Sequence, residues 1–247
     1  MKRDLESAIS EAVLRHGSRK VADLAQDVGV SEVTVRKVLD VLEKRGVIRR
    51  FHGEARAYDG DDIPFRMGMR YAEKKRIAGL AAACVEPGET ILLEAGSTVA
   101  ILAELLKDQR GLTVITPNLF IARMFRGGKT RVIVLGGMYQ EESESLVGPL
   151  ARKAVTELSF SKAFIGVTGY TPRTGFTLND HHRAEITAAI LERGAANYVL
   201  TDSSKFGASH AAPIAAAPGL IGTVITDQGI PTDARSALEG AGVRILV

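Results

Sequence analysis

Residues 24–55, LAQDVGVSEVTVRKVLDVLEKRGVIRRFHGEA, decide how the chain begins to fold. Val21, Leu24, Ala25 and Val28 recur at i, i+3, i+4 and i+7, the apolar stripe of a helix over about 21–28. Gly29 permits the positive φ of a tight inter-helix turn. Ser31 then caps a second helix over about 32–45, whose core face is Val35, Val38, Leu39 and Leu42. Upstream, Leu5, Ala8, Ile9, Ala12 and Val13 mark another helix, stopped by His16-Gly17. Helix, glycine turn, helix is the helix-turn-helix pattern. Downstream, Val47 and Ile48 start a strand, His52-Gly53 makes a turn and Ala55 to Tyr58 returns, which predicts a β-hairpin wing.

In such a pair the second helix enters the major groove with its N-terminal residues near the bases. Here those are Ser31, Glu32, Thr34, Arg36 and Lys37. Arg36 and Lys37 suit guanine edges or phosphates, while Ser31 and Thr34 suit phosphate oxygens. From the wing, Arg49, Arg50, His52 and Gly53 are expected at the DNA backbone or minor groove. Three-helix packing also occurs in domains that bind nothing; the wing and the charge distribution argue for DNA. Six basic residues (Arg36, Lys37, Lys44, Arg45, Arg49, Arg50) lie between positions 32 and 50 against three acids (Glu32, Asp40, Glu43). From Asp61 onward 20 basic residues nearly balance 19 acidic ones. A neutral body with a basic cluster at one end fits a DNA-reading head, and a solvated helix face is the plainer alternative.

At 247 residues the chain fits two modest domains. Its 45% apolar content can build a core, which must use Val, Ile, Leu and Ala because Trp is absent. The overall charge of +3 names no partner. The single cysteine, Cys84, cannot make an internal disulfide and reads as a small core hydrophobe. The N-terminus lacks the apolar run of a signal peptide, and no stretch approaches the ~20 apolar residues of a membrane span, so a cytoplasmic location and no membrane partner are expected.

Asp59 to Phe65 is polar and reads as a boundary. The expected division is residues 1–58 as the winged helix-turn-helix domain, 59–80 as linker and connecting helix, and 81–247 as a larger domain. In that larger part, TILLE, LTVITP, RVIVLGG, KAFIGVTG, NYVLTD, GTVITD and VRILV are apolar strand runs, most of them separated by helical stretches. This pattern predicts a mainly parallel α/β sheet covered on both faces. Ligands of such sheets bind at the carboxyl ends of the strands.

Small polar residues gather at those ends. Gly96-Ser97-Thr98 follows TILLE at the start of a helix, where backbone N–H groups, hydroxyls and the dipole suit a phosphate; Ser and Thr are also plain helix caps. Thr116 and Asn118, Gly136 and Gly137, Thr168 and Gly169, and the run Asp202 to Gly207 follow other strands. Gly136-Gly137 is expected to leave room for ligand beside the backbone. Lys205 among hydroxyls suits phosphate, although a loop lysine can equally be solvated. Glu94 and Glu185 could hold sugar hydroxyls. The adjacent pair His181-His182 lacks the i, i+3 or i+4 spacing of a helical metal site, so no metal and no cofactor are expected.

Both parts resemble the DeoR family of bacterial repressors. In the head the resemblance rests on Leu24-Ala25, Val30-Ser31 and Thr34-Val35-Arg36; Lys37-Val38 stands where the family has arginine-aspartate, and Glu54 replaces a wing glycine. In the larger part DSSKFG is intact at Asp202–Gly207, and the family's aspartate-alanine-glycine-threonine-threonine appears as EAGST with Glu94 in place of aspartate. The resemblance implies a sensor domain similar to ribose-5-phosphate isomerase. It implies that a phosphorylated sugar or related metabolite binds there and changes operator affinity, with Gly96, Ser97, Thr98 and Lys205 holding the phosphate. The expected protein is therefore a transcriptional regulator, a repressor of carbohydrate or related metabolism and not an enzyme. Paired half-sites imply a homo-oligomer, dimer or tetramer. The alternative is an isomerase-like enzyme with an appended DNA-binding domain, using Glu94, Glu185 or Asp202 as the base.

Overall fold

The computed structural model describes residues 2–44, 48–51, 53–57, 63–214 and 219–247. The chain divides into two compact units, Met1–Met69 and Arg70–Val247.

The first unit contains α1 (Lys2–His16), β1 (Ser18–Lys20), α2 (Val21–Val28), α3 (Glu32–Lys44), β2 (Ile48–Phe51), β3 (Glu54–Ala57) and α4 (Ile63–Gly68). Ile9, Val13, Leu24, Val35, Leu39, Ile48 and Ala55 close its core, so the predicted apolar stripes meet one another. Gly29 adopts the left-handed conformation, φ 66°, and turns the chain between α2 and α3. The predicted wing is the antiparallel pair β2–β3. A third strand, β1, joins it on the far edge of β3. Its sequence Ser18-Arg19-Lys20 carries no strand pattern; pairing with β3 alone makes it one.

The second unit opens with α5 (Tyr71–Ala82) and continues β4 (Thr90–Leu93), α6 (Ser97–Leu106), β5 (Thr113–Thr116), α7 (Leu119–Met124) and β6 (Arg131–Val134). The hairpin β7 (Met138–Gln140) and β8 (Ser145–Val147) leads into α8 (Pro149–Glu157) and β9 (Lys162–Gly166). A second hairpin, β10 (Gly169–Thr171) and β11 (Gly175–Leu178), precedes α9 (His181–Leu191) and β12 (Ala196–Leu200). The short β13 (Ala212–Pro213), β14 (Thr223–Ile225), α10 (Thr232–Gly240) and β15 (Arg244–Leu246) complete the chain.

Seven of these strands form one parallel sheet in the order β15-β14-β12-β9-β4-β5-β6. These are the seven apolar runs read in the sequence. Alternate residues on both faces are buried, as Ile91, Leu92 and Leu93 of β4 illustrate. Helices therefore cover both faces. Leu92, Ala163, Ile165, Val199 and Val224 pack with Val155 of α8, Ile186 and Ile190 of α9 and Leu238 of α10. The helix α5 packs against α6, with α7 beside it.

The winding of this sheet marks where a ligand crevice is expected. From β4 the chain steps to β5 and β6 in one direction; from β9 it steps to β12, β14 and β15 in the other. The reversal lies between the neighbours β4 and β9, and connections leaving a reversal in opposite directions open a cleft outside the carboxyl ends of the two strands.

Candidate functional site

The first unit presents a polar face on α3. Ser31 caps this helix, its Oγ accepting the Thr34 N–H at 3.3 Å and lying 2.9 Å from Thr34 Oγ1. Glu32, Arg36 and Lys37 are exposed. Arg36 donates to Glu32 one turn earlier at 2.9 Å. An exposed i,i+4 pair of this kind is worth only a few tenths of a kcal/mol, so the guanidinium can leave it for a stronger anion. Arg50 is braced differently. Its backbone N–H and Nε donate to the two oxygens of Glu43 at 2.9 and 2.8 Å, and its Nη1 lies 2.6 Å from Asp40 Oδ1. That triple attachment fastens β2 to α3 and holds the Glu43 carboxyl below the ordinary carboxylate range, chiefly through the Arg50 hydrogen bond. Gly53 takes φ 84° at the wing turn, and its carbonyl accepts the Val21 N–H at 3.1 Å. His52 and the side chain of Arg49 lie outside the described residues.

In the second unit, Glu94, Ala95 and Gly96 leave β4 where the winding of the sheet reverses. Gly96 sits at the N-cap of α6 with φ 113°, and no side chain caps the helix. The plain-cap alternative for Ser97 and Thr98 is thus not how this helix begins: both fall inside its first turn, and both are buried. A ten-residue helix with a glycine N-cap and no side-chain acceptor leaves its first N–H groups to be met by something else. Gly166, at the end of β9, lets the two strand ends close up. A Cβ there would lie 2.3 Å from the Ala95 carbonyl oxygen.

Beside this turn lies a buried ion pair. Glu94 is 2% exposed; its Oε2 accepts the Ala95 N–H at 2.7 Å, and its Oε1 accepts from Arg183 Nη2 at 3.2 Å. Arg183 comes from the first turn of α9, which Asp180 caps by accepting the Arg183 N–H at 2.8 Å. Glu185, two residues on, is exposed. Residues two apart on a helix face away from each other, so α9 brings Arg183 and not Glu185 to the end of β4.

After β12 the predicted Asp202–Gly207 run folds as a 3₁₀ turn over Ser203–Lys205. Asp202 caps it, accepting the Ser204 N–H at 3.0 Å, and is buried. The Ser203 N–H donates to Asp227 Oδ2 at 2.7 Å from the end of β14. Burial pushes the Asp227 carboxyl up, but hydrogen bonds from Ser203 and Gly229 and the charge of Arg70 outweigh it, leaving a value below the usual range. Lys205 is the last residue of the turn and partly exposed.

Several residues expected at the ligand make internal framework contacts. Asn118 is fully buried: its Oδ1 caps α7 by accepting the Ile121 N–H at 3.0 Å, and its Nδ2 donates to the Ser143 carbonyl and to Ser145 Oγ. Thr116, also fully buried, accepts the Asn118 N–H and donates to the Glu94 carbonyl. The room expected at Gly137 is filled by protein, since a Cβ there would lie 2.7 Å from the Val147 carbonyl oxygen; Gly136 is open and exposed. Gly169 likewise packs on Ala208, whose carbonyl oxygen would lie 2.5 Å from an added Cβ. Strand ends thus collect glycine and hydroxyls for two reasons, and only contacts separate them. Sequence reasoning did not single out Arg183 and Asp227, which bond to candidate residues Glu94 and Ser203. Both were visible as charges beside apolar runs, but nothing local says which acid or base each one meets.

Among the described residues, no helix is long and apolar enough to cross a membrane, and no group of three or more His, Cys, Asp or Glu could hold a metal ion.

Comparison with known proteins agrees on both units. Residues 6–60 match the model of the DeoR-like helix-turn-helix domain, and residues 69–228 match that of the DeoR C-terminal sensor domain. The chain is 33% identical to the lactose phosphotransferase system repressor of Staphylococcus epidermidis, over 83% of this chain and 84% of that one. It is 27% identical to the putative aga operon transcriptional repressor of Escherichia coli O157:H7, over 97% of this chain and 91% of that one. Among solved structures, ribose 5-phosphate isomerase A from Methanocaldococcus jannaschii matches at 17% identity with a TM-score of 0.40, covering 54% of this chain and 53% of that one.

Proposed function

Because the chain belongs to the DeoR family, it is a DNA-binding transcriptional regulator, and we propose that it is a repressor governed by a phosphorylated sugar bound in the crevice between β4 and β9. The observation that carries this reading is the start of α6. Gly96 leaves the first-turn N–H groups uncapped at the point where the sheet reverses, with Ser97 and Thr98 beside them. Such a terminus is a ready receptor for a dianion. Lys205, on the turn after β12, supplies the balancing cation. The names of the relatives, repressors of lactose and aga genes, support a carbohydrate effector. In the first unit, Ser31, Thr34, Arg36 and Lys37 meet the operator, with Arg36 exchanging Glu32 for phosphate or a guanine edge. A dimer or tetramer reads paired half-sites.

Two of the three bases open to the enzyme alternative are engaged, and the third, Glu185, is exposed on α9. Glu94 is held by Arg183, and Asp202 caps a turn and faces Arg70. A carboxylate paired with arginine is a poor acceptor for a carbon-bound proton.

A thermal-shift screen of sugar phosphates against the full chain tests the reading. At least one should stabilise wild type by several degrees, and Lys205→Ala should abolish that shift while leaving affinity for operator DNA unchanged. A stabilisation that Lys205→Ala leaves intact would move the phosphate elsewhere.

A further inference from the structure

Two carboxylates end neighbouring parallel strands, Asp202 after β12 and Asp227 after β14, and both are buried. Like charges placed so need a cation between them. Arg70 supplies it. Its Nε lies 3.3 Å from Asp202 Oδ1 and its Nη2 lies 3.4 Å from Asp227 Oδ2, while Nη2 also donates to Ser203 Oγ at 2.9 Å. The partners lie more than 130 residues along the chain from Arg70. The same carboxylates accept the first two N–H groups of the Ser203–Lys205 turn, those of Ser203 and Ser204. Gly229 completes the nest, because a Cβ there would lie 2.6 Å from Ser203 Oγ. One guanidinium therefore closes a frame in which both acids and the turn are fixed together.

The backbone of Arg70 is unusual as well. It takes φ 50° and ψ 42°, a left-handed conformation that costs a non-glycine residue energy and persists only where surrounding contacts hold it. Arg70 is the first residue of the second unit and directly precedes α5, and its carbonyl accepts the Lys74 N–H at 3.1 Å.

We propose that Arg70 is the positioning residue of the Ser203–Lys205 turn: bridging Asp202, Asp227 and Ser203, it sets where Lys205 stands at the carboxyl edge of the sheet and fastens that turn to the residue where the chain enters the second unit. This rests on the reading of Lys205 as a phosphate ligand for its consequence, but not for its geometry.

The test separates the two. Amide hydrogen exchange is followed on the full-length ligand-free protein, wild type against Arg70→Gln and Arg70→Lys. In Arg70→Gln the Ser203 and Ser204 amides should exchange about tenfold faster or more, while the amides of β4 and β9 keep their protection. Arg70→Lys keeps a cation opposite both acids and should recover part of the protection. Calorimetry with inorganic phosphate as the probe, at a temperature where both proteins are folded, should then show the binding seen in wild type weakened about tenfold in Arg70→Gln. Wild-type protection of Ser203 and Ser204 in Arg70→Gln overturns the proposal, as does loss of protection throughout the sheet, which would make Arg70 a general stabiliser. If wild type binds no phosphate, the phosphate reading of Lys205 fails and the exchange data alone decide the role of Arg70.

Discussion

The ion pairs that brace α3 and those at the strand ends of the sheet differ in reach and burial. In the first unit, Arg36 pairs with Glu32, and Arg50 with Asp40 and Glu43, in ion pairs that span ten residues or fewer and stand a third or more exposed. In the second unit, Glu94 and Arg183 lie 89 residues apart and are almost wholly buried, and Arg70, its side chain 36% exposed, reaches the buried Asp202 and Asp227 across more than 130 residues. Exposed pairs cost little to break, which suits the proposed role of this surface in handing its cations to DNA phosphates. Buried pairs are costly to break and so fix geometry, which suits the proposed effector site.

The sharpest way to break this contrast is to leave one buried charge alone. Arg183→Met strands the Glu94 carboxylate, and the sensor unit should lose about 3–5 kcal/mol in urea unfolding. Adding Glu94→Leu should restore much of that loss while leaving effector binding impaired. A loss under ~1 kcal/mol in the single variant would mean that the buried pair behaves like a surface one. In the first unit Glu43→Gln removes an exposed partner of Arg50, and the expected loss is at most about 1 kcal/mol, smaller still in high salt. A loss several times larger would mean that bracing β2 on α3 is central to the head. The smallest expected change is the pH dependence of the Asp227 contribution, which is confined to acid. The Asp227 carboxyl is lowered in the folded protein, so its contribution is fully present above the unfolded value of about 3.9 and is lost as the pH falls through the folded value. The stability difference between wild type and Asp227→Asn should therefore stay constant from neutral pH to about pH 4 and shrink below it. A difference already shrinking between pH 7 and 5 would mean that burial, not the hydrogen bonds, sets this carboxyl.

Much of the fold was legible because its signals are local. Val35, Val38, Leu39 and Leu42 declare one face of α3, and the seven apolar runs declare a sheet buried on both sides. Strand β1 was not legible, because Ser18-Arg19-Lys20 becomes a strand only by pairing with β3. The candidate site divided along the same line. Gly96-Ser97-Thr98 could be placed at a helix start from sequence, but whether Ser97 caps that helix or lies inside it depends on the path of the backbone out of β4. Asn118 reads as a ligand group because it follows a strand, but that its side chain caps α7 and bonds the β7–β8 connection is visible only in the structure.

The sequence by itself determined two units, a helix-turn-helix with a wing and a parallel α/β sheet, since periodicity and glycine turns are properties of neighbouring residues. Only the tertiary structure decided which charges meet. The partners of Glu94, Asp202 and Asp227 come from distant segments, and a buried charge takes its partner from whatever the packing of helices on the sheet brings within reach.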